Sequence, residues 1–310
     1  MNKPPAVART LPVSAGLAGL LAALACACAH APGQTQQGHQ TTAEVLAASV
    51  GADWRAPDPQ ATLVLELAAG RVILEMAPNF APEHVANIKL LAQTHVFDNI
   101  AVLRVQDNYV VQWGDPTEKK DLGAIKKNLP PEYARPAQDV TFTALPDGDV
   151  YAAEVGFSNG FPAARDEGGR QIWLTHCYGM VGVGRDMPPD TGNGAELYAV
   201  LGHAPRHLDR NLAVVGRVIQ GMDLLAALPR GTENMGFYAK TLAMPAITHV
   251  RLAADMPEQE KPNLQILRTD TMTWHNYVQS RRARQEAFFV EPTGKLELCN
   301  VLPPVRVKKP

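Results

Sequence analysis

The stretch from Phe97 to Pro116, FDNIAVLRVQDNYVVQWGDP, holds the residues of this chain best suited to chemistry. Val102, Val105, Tyr109, Val110, Val111 and Trp113 are strand-forming residues, and among them stand Arg104 and Gln112 with no charge partner in the run. Burying a guanidinium or an amide is costly unless it is hydrogen-bonded, so both mark a strand edge or line a wet cleft. The intervening QDN is a turn composition that folds Arg104 and Gln112 back toward each other and predicts a groove. An arginine there is a permanently charged, rigid fork of donors, able to stabilise electron density developing on a bound polar group.

Other constellations are weaker. His203, His207 and Asp209 lie close in sequence, but Pro205 interrupts a regular i,i+4 face, so no metal site is expected. His176 and Cys177 are adjacent and would point to opposite faces of a strand, which argues against a Cys/His nucleophile. GVGRD and TGNG lack the strand-turn-helix context of a phosphate loop, and no cofactor is expected. The formal net charge of -2 and the absence of a basic patch with interleaved aromatics exclude a nucleic-acid partner.

The 310 residues, 46% of them hydrophobic, support one large domain with appendages. ATLVLEL (61–67) and RVILEM (71–76) about Gly70 read as a hairpin, followed by a helix with Pro82 near its start and Val85, Ile88, Leu91 and Ala92 on one face. Residues 117–172 read as an extended loop region with a strand at 140–144 and another at 151–157, and FSNGFPAARDEGGR reads as an open turn. Strands follow within 171–184, 195–201 and 212–218, then the short helix of GMDLLAAL before Pro229, and a last strand at 246–252. A mainly β chain with two clear helices predicts a closed antiparallel barrel with helical covers, and 253–310 form a C-terminal extension that docks in part on it.

Residues 1–31 read as an export signal. Lys3 and Arg9 precede an apolar run from Leu11 to Ala25, too short for a membrane span, and Ala27-Cys28-Ala29 offers a cleavage pattern. Leu24-Ala25-Cys26 also resembles a lipoprotein box, which makes Cys26 a lipid-attachment candidate and an N-terminal lipid the one expected membrane attachment. Residues 32–59 read as a polar tether. Cys177 and Cys299 remain in the mature region, and two isolated buried thiols are expected rather than a bond between them.

FDNIAVLRVQDNYVVQWGDP resembles the signature of the cyclophilin family of peptidyl-prolyl cis/trans isomerases. LVLELAAGRVILEMAPNFAPEHVANIKLL looks like that family's first hairpin and helix, GMVGVGRDMPPDTGNGAELYAVL like its groove strand and loop, and HLDRNLAVVGRVIQGMDLL like its closing strands and second helix. The resemblance covers residues 60–252 and implies an eight-stranded closed antiparallel barrel capped by two helices.

It also implies roles. Arg104 falls on the catalytic arginine, Gln112 on the groove glutamine, and Tyr109 and Tyr198 on pocket phenylalanines, with Val183, Leu208 and Leu212 completing the pocket. Departures from the family pattern are Leu103, Trp113, Glu196 in place of a groove glutamine, His207 in place of a tryptophan, and Leu212 in place of a histidine. The implied activity is non-covalent isomerisation of Xaa-Pro bonds in proline-containing polypeptides, without cofactor, by a monomer in the periplasm or on the bacterial envelope. The alternative is a proline-peptide-binding or chaperone module with little or no turnover.

Overall fold

The computed structural model describes residues 40–239 and 243–308. The export signal, including Cys26, lies outside them. Eight strands form the barrel: β1 (Thr62–Leu67), β2 (Gly70–Met76), β3 (Ile100–Gln106), β4 (Val110–Gly114), β5 (Met180–Val183), β6 (Leu197–Val200), β7 (Val214–Gln220) and β8 (Ala246–Leu252). Their order is β5-β6-β4-β3-β8-β1-β2-β7, closing back on β5, and every pair is antiparallel. Closure leaves no barrel edge to be covered. Leu63, Leu74, Val102, Val111, Trp113, Val181, Leu197 and Val215 fill the interior as alternate residues of their strands.

The α-helices among the described residues are α1 (Thr42–Ala48), α2 (Pro82–Gln93), α3 (Met222–Ala226) and α4 (Met272–Arg282). α2 buries the expected face, Val85, Ile88, Leu91 and Ala92, in the barrel core, and α3 adds Leu225. With Pro82 at its start, α2 has no side-chain cap of its own; Glu132 of the insertion accepts from the Glu83 N–H (2.9 Å) and the His84 N–H (3.0 Å).

The insertion is more than loop. Arg135–Pro136, Gln171–Leu174, Phe161–Arg165, Glu154–Ser158 and Thr143–Ala144 form a five-stranded sheet in that order. The supposed open turn after Phe157 is a tight hairpin, because Asn159 and Gly160 both take left-handed φ values (49° and 86°), the geometry of a two-residue turn. Phe157 and Trp173 of this sheet pack with Trp274 and Tyr277 of α4, and Val45 of α1 joins the same core. Phe157 meets Trp274 edge-on at 4.8 Å.

Residues 42–59 are therefore not a tether throughout. Thr41 caps α1 through a reciprocal pair with Glu44, and Trp54–Arg55 pairs with Leu264–Leu267, which in turn pairs with Val305–Val307. Leu264 and Ile266 press on Val64, Ile73 and Ile219 on the outside of the barrel. The apolar residues of both appendages find each other as one second layer. Among the described residues, no helix is long and apolar enough to cross a membrane.

The cysteines correct the expectation of isolated thiols: Cys177 and Cys299 form a disulfide (S–S 2.04 Å). Cys177 sits in the break between Gln171–Leu174 and β5, not within a strand, and the C-terminal extension brings Cys299 to it from 122 residues away. Closing so long a loop removes much entropy from the unfolded chain. Cys299→Ser is expected to lower the unfolding free energy by about 2–4 kcal/mol, measured by denaturant titration; an unchanged midpoint would show that the bond contributes nothing.

Candidate active site

A single irregularity aims the site. Val102 pairs with Trp113 and Arg104 with Gln112, so Leu103 is an extra residue on β3. In a regular strand Val102 and Arg104 would share a face; the bulge lets Val102 point into the barrel core while Arg104 turns outward. Gln112, between core residues Val111 and Trp113, and Tyr198, between Leu197 and Ala199, also face outward. The ladder continues through Tyr198 to Gly182 of β5. Arg104, Gln112, Tyr198 and Gly182 thus form one row across four strands on the outer wall.

Arg104 is buried and held by three acceptors. Its Nε donates to the Met235 carbonyl (2.5 Å), Nη1 to Gln112 Oε1 (3.3 Å) and Nη2 to Gln106 Oε1. The rings of Tyr109 and Phe237 cover the guanidinium at 5.4 and 5.3 Å. All three acceptors are neutral, so no hydrogen-bond partner cancels the charge, and three bonds leave two of the five guanidinium N–H groups unspent on a residue that lines the cavity. Burial pulls the Arg104 pKa down, with Tyr109 and Glu196 opposing, but a guanidinium stays charged.

Beside it lies a cavity of about 130 Å³ lined by Tyr109, Val110, Tyr198, Leu208 and Leu212 with Gly184 and Arg185. That is well below the roughly 300–1,000 Å³ of small-molecule sites and suits one small ring. Val110 and Tyr198 line it and cluster with Val200 separately from the barrel core, with Tyr109 and Leu212 packed on them.

Of the residues singled out in the sequence, Arg104, Tyr109, Gln112, Tyr198, Leu208 and Leu212 converge here. Val183 does not: alternation on β5 turns it into the barrel core, and Gly184 takes its place at the cavity. His207 points to solvent from a short 3-10 turn. Glu196 stands behind Gln112, accepting from its Nε2 at Oε1, and reaches Arg104 as a nearby charge rather than as a contact.

Several contributors were missed. Met235 and Phe237 lie in a loop with no periodic signal, placed on β3 by a bridge between Arg104 and Phe237. Val110 was legible as strand but not as pocket, since its face depends on register. His176, weighed in the sequence only beside Cys177, and Asp209, weighed only with His203 and His207, meet each other, and His176 also meets Tyr198.

The profile of the family described as "Cyclophilin type peptidyl-prolyl cis-trans isomerase/CLD" matches residues 62–251, more than half the chain. The chain belongs to the cyclophilins. It is 29% identical over 193 residues to probable peptidyl-prolyl cis-trans isomerases of Brucella suis and Brucella abortus, covering 62% of this chain and 84% of each relative. The crystal structure of cyclophilin AquaCyp293 from Hirschia baltica superposes with a TM-score of 0.65 at 22% identity, covering 87% of this chain and 99% of that one. That likeness concerns the fold and takes in the appended layer as well as the cyclophilin barrel.

Burial pushes the Glu196 carboxyl above its ordinary 4.5, assisted by Glu118 and Asp186 and opposed by the Gln112 hydrogen bond. An acid whose folded pKa is raised costs no stability below its unfolded pKa, and costs increasingly as pH climbs from there through the folded value. Glu196→Gln is therefore expected to raise the melting temperature at about pH 7 and to leave it unchanged near pH 4. An equal shift at both pH values in a melting series, or a loss at pH 7, would contradict this.

Proposed function

We propose that this cyclophilin is an exported prolyl isomerase in which Arg104 lowers the rotation barrier. The observation that carries the reading is the uncancelled Arg104 guanidinium, held rigidly beside a ring-sized cavity with two N–H groups unspent. Rotation of an Xaa-Pro bond breaks amide conjugation and returns lone-pair density to the prolyl nitrogen. A fixed donor there favours the twisted amide over either planar form. The uncatalysed barrier is about 18–20 kcal/mol, and each ~1.4 kcal/mol removed gives a factor of ten in rate. Tyr109, Tyr198, Leu208 and Leu212 hold the ring, and Gln112 anchors the guanidinium beside it.

Export is supported by the signal-like residues 1–31 and by the Cys177–Cys299 disulfide, a bond that persists in oxidising compartments. Its substrates would be Xaa-Pro segments of proteins folding outside the cytoplasm. A binding module without turnover is the second reading, favoured by His207, which is exposed and does not line the cavity.

A protease-coupled or NMR exchange assay on Xaa-Pro peptides separates the two. Wild type is expected to accelerate isomerisation, and Arg104→Ala to lose about 100- to 1,000-fold of it, as when one oxyanion-type donor is removed. A wild-type rate equal to the uncatalysed one, with peptide binding indifferent to replacement of the proline, supports the second reading. Mass spectrometry of the mature protein should find it beginning at a lipidated Cys26 or after Ala29; a chain still starting at Met1 would count against export.

A further inference from the structure

The phenol of Tyr198 is buried beneath the cavity, where an unpartnered hydroxyl would be costly. Its oxygen lies 2.8 Å from His176 Nε2, and His176 Nδ1 lies 2.9 Å from Asp209 Oδ1, which also accepts the His176 backbone N–H. With Nδ1–H donating to the carboxylate, Nε2 is the acceptor and the tyrosine donates. Asp209 is gripped in turn by Arg206 Nε (2.5 Å), whose other two nitrogens take Asp149 of the insertion at 2.9 and 3.1 Å. The side chains of His176, Asp209, Arg206 and Asp149 are all 7% exposed or less.

A buried ionic chain of this kind is poor value for stability alone, because apolar residues of the same volume avoid its desolvation cost. What it does provide is a single orientation. The row described above carries a second sign of the same device. A Cβ on Gly182 would fall 2.3 Å from the Tyr198 hydroxyl oxygen, so the hydroxyl occupies the space that a side chain on β5 would need. Apolar packing on Val110 and Val200 holds the ring's faces, and His176 is the hydrogen-bond partner that holds its hydroxyl end.

We propose that His176 is a positioning residue of the proline pocket: through the Tyr198 hydroxyl it fixes the pocket floor, and Asp209, Arg206 and the insertion residue Asp149 hold it in place. The inference rests on the prolyl-isomerase reading and gives the insertion a part in that site. A ring held at fixed depth fits proline, and a loosened one fits it less well.

The test is a double-mutant cycle between position 176 and position 198. His176→Asn keeps a donor near Asp209 but is too short to reach the phenol, and Tyr198→Phe removes the hydroxyl that His176 grips. In the wild-type background His176→Asn should lower kcat/KM on an Xaa-Pro peptide by about tenfold; in the Tyr198→Phe background it should change it by less than about twofold. Equal losses in both backgrounds, or none in either, would overturn the proposal. Asp209→Asn takes the place of His176→Asn in the same cycle if that variant does not fold. The cycle is read a second time in peptide Kd, which needs no turnover. An inactive wild type would refute the isomerase reading, while the Kd cycle would still show whether His176 acts through Tyr198.

Discussion

The site depends on one backbone irregularity, the extra residue at Leu103 on β3. Without it Arg104 would share the face of Val102 and lie in the apolar barrel interior, where a guanidinium has no acceptors. With it, the polar row emerges on the outer wall, and the barrel supplies what a donor needs: neighbouring strands whose register places Gln112 and then Tyr198 beside the arginine at fixed spacing. The barrel core can stay wholly apolar because every polar group of the site is on the other side of the sheet.

The second layer acts on this wall from two directions. Glu132 of the insertion caps α2, and its carboxyl is held below the ordinary range because hydrogen bonds from His84 and from the His84 and Glu83 backbone outweigh the upward push of burial. Asp149 reaches the pocket floor through Arg206 and Asp209. The sheet that carries both loops is in turn covered by α4 and tied to the C-terminal extension at Cys177–Cys299. The appendages are thus continuous with the candidate site through packing and through ion pairs.

Most of the barrel was legible in the sequence because short β-branched runs and turn residues report strands directly, and the signature around Arg104 and Gln112 points to the candidate site. What escaped depends on tertiary placement. The Asn159-Gly160 hairpin signal is present in the residues but is masked by the prolines and glycines that surround it in the insertion. The resemblance puts Val183 in the pocket, but its place on β5 turns it into the core and Gly184 to the cavity, a one-residue difference that inverts the face. Cys177 and Cys299 could not be paired across 122 residues without the fold that joins them. The partnership of His176, Asp209 and Tyr198 spans three segments and leaves no local pattern.

The central claim is that an Xaa-Pro segment binds on the outer wall with its ring in the cavity and its amide at Arg104. A crystal structure of the protein with a short Xaa-Pro peptide tests this most directly. The account predicts the proline ring against Tyr109, Tyr198, Leu208 and Leu212, and an Arg104 N–H within hydrogen-bond distance of the prolyl amide. A peptide bound elsewhere, or a proline ring in this cavity with Arg104 turned away from its amide, would contradict it.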